Sequence, residues 1–96
     1  MLVEFSTRAG GSFTMFERDA ANVLSAAGKS ADEERGVITF DDNAPVLASL
    51  LLIDDTPPAE DVDGQPIVSL AQRARPLIEM LERARNARVD VIWGPA

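Results

Sequence analysis

The chain has 96 residues, no Cys and no His, and 16 acidic against 9 basic side chains for a net charge of −7, which leaves room for one domain and one modest core. The missing residue types exclude disulfides, thiolate chemistry, His-based triads and ordinary zinc sites, so any catalysis would rest on carboxylates, Lys, Arg or hydroxyls. The acidic balance disfavours nucleic acid and anionic membranes as partners; with no secretory leader visible and the longest apolar run, 44–53, about half a membrane span, the expectation is a cytoplasmic protein.

The opening stretch "LVEFST" alternates, Val3 and Phe5 against Leu2 and Glu4, with the period of a half-buried strand. "RAGGS" breaks it. Thr14 and Glu17 then have capping-box spacing, and Phe16, Ala20, Val23, Leu24 and Ala27 share one helical face, so a first helix is predicted over 15–27 with Gly28 as its left-handed stop. "GVITF" at 36–40 fits a short strand or an extended approach equally well. A second helix is predicted over 44–53, capped by Asn43 or Asp42, with Pro45 tolerable in the first turn. Its buried side is Val46, Leu47, Leu50, Leu51 and Ile53, with Leu52 behind.

Residues 54–68 are acidic, hold three prolines and lack an apolar period, as a mobile surface loop would. Ser69 and Gln72 make a second capping box. A third helix follows to Ala87 on a stripe of Leu70, Ala74, Leu77, Ile78 and Leu81, with a kink expected at Pro76. "VDVIW" closes the chain as another alternating segment, and a strand needs a hydrogen-bonding neighbour. The segment available is the opening one, 2–6 against 89–93. Pairing direction stays open, although three chain-reversing helices would make it parallel. The fold class is thus α+β in a single domain, 1–96, with three helices packed on a small sheet formed by the N- and C-terminal strands.

"SLAQRARPLIEMLERARNARVDVIWG" is similar to the C-terminal signature of an uncharacterised bacterial family, domain of unknown function 1840. "MLVEFST", Met15-Phe16, "GVIT" and Pro45 match its other landmarks. The resemblance implies ancestry and no activity, cofactor or catalytic residue. It also implies an aromatic residue at position 75 and a glycine at position 88, where this chain has Arg75 and Arg88. A glycine there would mean a left-handed turn at the end of the third helix.

Three groups of residues could carry chemistry. The acid pairs Asp41/Asp42, Asp54/Asp55 and Asp61/Asp63 could bind a hard cation, but "EDVDG" fails the calcium-loop pattern, and solvated or capping charge is the simpler reading. "AGGS" before a helix could offer amides to an anion, but it lacks the lysine and glycine spacing of a phosphate loop. Residues 69–96 hold 5 bases against 3 acids, while 1–68 hold 4 against 13. Arg83, Arg85 and Arg88 suit a helix C-terminus, and Glu79–Arg83 and Glu82–Arg85 have pairing intervals. Arg73 and Arg75, near the helix start, have no such explanation. The expected function is therefore a small non-catalytic protein-interaction module, working with a protein partner or as a homo-oligomer and needing no cofactor or metal. A small anion-binding protein using Arg73 and Arg75 comes second, and a carboxylate-dependent enzyme is remote.

Overall fold

Two alternating segments separated by Gly10-Gly11 form a β-hairpin. The computed structural model describes residues 2–29, 35–53 and 70–96, and in it β1 (Leu2–Thr7) and β2 (Ser12–Phe16) pair antiparallel, Phe5 opposite Phe13. Gly10 and Gly11 take φ of 115° and 93°, and the Gly10 amide donates to the Thr7 carbonyl at 3.1 Å. Helix α1 (Glu17–Ala26), strand β3 (Gly36–Ile38), helices α2 (Phe40–Leu51) and α3 (Leu70–Ala87), and strand β4 (Val91–Pro95) follow. The sheet order is β2-β1-β4-β3, antiparallel throughout. The first and last strands thus lie in the middle of the sheet, and three helices cover one face with α3 between α1 and α2.

The α+β class and the terminal pairing follow the sequence, but several details do not. β1 and β4 run antiparallel in the register Phe5–Trp93; a count of reversals by helices alone leaves out strands β2 and β3 and so does not fix the direction. The Thr14–Glu17 capping box does not form, because Thr14 is inside β2. Helix α1 starts at Glu17 with no side-chain cap, and Phe16 is 66% exposed instead of lying on the helix stripe. Residues 36–38 are a strand. Helix α2 begins four residues early, capped by Thr39, whose hydroxyl accepts the Asp42 amide at 3.3 Å. Pro45 consequently sits in the second turn, and Leu51 is 61% exposed. The Asp90 carboxylate also serves this helix start, accepting the Phe40 amide at 2.8 Å. Helix α3 continues through Pro76 to Ala87. The 54–68 loop, the Ser69 capping box and the pairs Asp54/Asp55 and Asp61/Asp63 lie outside the described residues.

Helices α1 and α3 stop in the same way. Lys29 donates to Leu24 and Gly28 to Ser25 at one end; Val89 donates to Ala84 and Arg88 to Arg85 at the other. Both sets are the paired bonds of a Schellman motif, which requires a left-handed residue just past the helix. Gly28 supplies it with φ 79°, and Arg88 with φ 59°, the geometry that the glycine implied at position 88 anticipates. Because Arg88 and Val89 belong to this turn, β4 starts at Val91, two residues later than the alternation suggests.

On the covered face Phe13, Phe5, Trp93 and Gly36 form one row across all four strands. Phe5 stacks on Phe13 at 5.0 Å and lies 6.4 Å from Trp93. Gly36 ends the row because the indole occupies the space of a side chain: a Cβ there would fall 2.1 Å from Trp93 Cζ2. Leu77, Met80 and Leu81 of α3 fill the centre, fully buried, with Val23, Leu24, Ile38 and Leu50 around them. Asn43, predicted as a cap, is instead buried between α2 and α3, its amide donating to the Leu81 carbonyl at 3.0 Å.

Candidate functional site

Among the described residues no helix lies on the other sheet face. Strand alternation puts Leu2, Glu4 and Ser6 there from β1, Ser12, Thr14 and Phe16 from β2, Ile92 and Gly94 from β4 and Val37 from β3. Its apolar residues form two cross-strand pairs at diagonal corners, Leu2 with Phe16 and Ile92 with Val37, of which Ile92 is 54% and Val37 42% exposed. Between them runs a polar row containing Thr14, Glu4 and Gly94. Arg35, just before β3, lays its stem across this row: a Cβ on Gly94 would lie 3.2 Å from Arg35 Cγ.

Two clefts open beside the Ile92–Val37 corner, and Ser6 and Ile92 line both. One, of about 360 Å³, is bordered by Glu4, Arg35, Gly36 and Gly94. The other, of about 580 Å³, is bordered by Thr7, Arg8, Arg88, Val89 and Asp90. Among the described residues Arg8, Arg35 and Arg88 form no ion pair; the pairs that do form are Lys29–Asp42 at 3.2 Å and Arg73–Asp19 at 2.9 Å. The corner is therefore a basic, partly apolar zone on a chain of net charge −7.

Arg73 and Arg75 do not meet. Arg73 points to α1, where Asp19 accepts from its Nη1 and where it borders a cleft of about 450 Å³ with Phe16, Glu17 and Arg18. Two positions along a helix is about 200° of rotation, so Arg75 lies on the opposite flank, exposed and outside that cleft. The Glu79–Arg83 and Glu82–Arg85 intervals are not closed as ion pairs. Arg83 instead reaches the hairpin turn, 3.3 Å from where a Gly11 Cβ would stand.

"AGGS" makes a strand-to-strand turn and precedes no helix, so its anion-binding reading falls. Asp41 and Asp42 occupy the first turn of α2, where negative charge suits the helix dipole. Among the described residues no group of three His, Cys, Asp or Glu could hold a metal ion, and no helix is long and apolar enough to cross a membrane. The Arg8, Arg35 and Arg88 zone escaped sequence reasoning because its members are 27 to 80 positions apart. The one local signal was Arg88 at a helix stop.

Among the described residues, fold and surface define a two-layer α+β arrangement whose second sheet face carries no helix and is partly basic. The chain belongs to the family described as domain of unknown function (DUF1840), whose model matches residues 1–93. No curated protein and no solved structure matches it.

Proposed function

We propose that this protein is a non-catalytic interaction module that docks a protein partner on the open face of its sheet, at the Ile92–Val37 corner. The observation that carries the reading is the coincidence at one place of two exposed β-branched side chains on adjacent strands with three arginines that form no ion pair among the described residues. Exposed apolar residues ringed by charge mark docking surfaces more often than singly scattered ones do. The sign of the charge selects the occupant. A second copy carries net charge −7 as a whole, so general repulsion opposes homo-association. A partner segment combining apolar side chains with carboxylates complements the corner directly.

The test is capture from cell lysate on the immobilised protein, followed by mass spectrometry, with Ile92→Glu and Leu52→Glu run in parallel. Leu52 is 84% exposed at the end of α2 and lies off the sheet. The reading expects a partner with an acidic-apolar segment, retained by Leu52→Glu and lost with Ile92→Glu. Equal recovery on both variants would refute it, as would a stable dimer in light scattering that Ile92→Glu dissociates.

A further inference from the structure

Arg88 is the one non-glycine residue with positive φ among the described residues, at 59°. A left-handed backbone is strained for an L-residue, and such strained positions gather at binding sites. Here the turn from α3 into β4 places Arg88 on the wall of the 580 Å³ cleft, and the hairpin turn after β1 places Arg8 on the same cleft. Neither guanidinium has an ion-pair or hydrogen-bond partner among the described residues. The Thr7 hydroxyl is committed to the Asp90 carbonyl at 2.9 Å and the Asp90 carboxylate to the Phe40 amide at 2.8 Å. The Asp90 charge stays in the lining, so the cleft's balance is two positive groups against one negative. Half-buried Ser6 makes no side-chain hydrogen bond among the described residues, and Val89 and Ile92 form an apolar wall.

We propose that Arg8 and Arg88 form a binding site for an oxyanion, carboxylate or phosphate, carried on an apolar body that lies against Val89 and Ile92. Guanidinium forks suit planar or tetrahedral oxyanions, Ser6 can add a donor, and the two aliphatic side chains give an apolar body a surface to lie against. The proposal goes beyond the docking of a protein on the sheet and stands whether or not that occurs.

The experiment is amide NMR of the whole chain titrated with acetate, benzoate, inorganic phosphate and phenyl phosphate. The expected response is a saturable shift centred on Arg8–Ala9 and Arg88–Asp90, with the aromatic member of the preferred pair binding about tenfold tighter than its simple counterpart. The tighter of the carboxylate and phosphate series identifies the head group. Arg8→Ala and Arg88→Asn should each weaken binding by about tenfold or more, while Arg75→Ala changes nothing. Asparagine tolerates the left-handed backbone, so the second variant keeps the turn and loses the charge. Arg88→Gly should lose binding while its unfolding midpoint rises, which separates binding from folding. Absence of saturation with all four probes overturns the proposal, as does a response that survives both Arg8→Ala and Arg88→Asn. Partner capture lost with Ile92→Glu, together with no saturation by any of the four probes, would leave the docking reading standing without this site.

Discussion

Arg88→Gly is the substitution whose sign the backbone decides most directly. The Schellman bonds at the end of α3 are made by main-chain groups, Val89 to Ala84 at 3.0 Å and Arg88 to Arg85 at 3.2 Å, so glycine keeps them. At φ 59° it also removes the left-handed penalty, about 1–2 kcal/mol for an L-residue. Against this, glycine gives the unfolded chain more freedom, costing about 0.5–1 kcal/mol. The arginine side chain is exposed and forms no ion pair among the described residues, so little contact energy is lost. The midpoints of the two ranges leave a net gain of about 0.75 kcal/mol, or about 3–6 °C in Tm for a domain of this size. Equilibrium urea unfolding followed by circular dichroism measures it, with an unchanged denaturant slope. A glycine variant equal to or less stable than the parent would refute the reasoning and show that Arg88 makes contacts worth more than its strain.

Gly36→Ala should destabilise by about 3 kcal/mol, since its Cβ would fall 2.1 Å from Trp93 Cζ2 and the indole must leave its place; a lower urea midpoint with red-shifted tryptophan emission in the native state is the expected signature. Asn43→Ala removes the bond to the Leu81 carbonyl but also the Asn43 Oδ1, which is buried without a partner among the described residues, so the expected loss in urea unfolding is about 1–2 kcal/mol. Removal of residues 91–96 takes away a strand bonded to β1 on one side and β3 on the other, together with Trp93 and Val91 of the core; loss of the cooperative thermal transition is expected, and a retained one would mean that the remaining residues form a core without β4.

What the sequence determines is what repeats at short range. Alternation in "LVEFST" and "VDVIW", the 3.6-residue stripes of the helices and the glycine at 28 act through neighbouring residues, so β1, β4, most of α1 and α3 and the α+β class were legible. Even the left-handed turn at Arg88 was legible, through the glycine that the family resemblance implies there. Where two short-range signals competed, the tertiary structure chose. Thr14 and Glu17 offered a capping box, yet Gly10-Gly11 between two alternating segments is also a hairpin signal, and pairing with β1 buries Phe13 against Phe5, which a helix start at residue 15 would forgo. At α2 an Asn inside the helix looked like a cap because nothing local shows that Leu81 waits across the core with a carbonyl. The candidate site depends wholly on the tertiary structure. Arg73 and Arg75 are neighbours in sequence and part company around the helix; Arg8 and Arg88 are 80 positions apart and share a cleft because β1 and β4 lie side by side with Thr7 opposite Val91. Periodicity fixes which face of an element is apolar, but only the pairing of distant strands fixes which charges become neighbours.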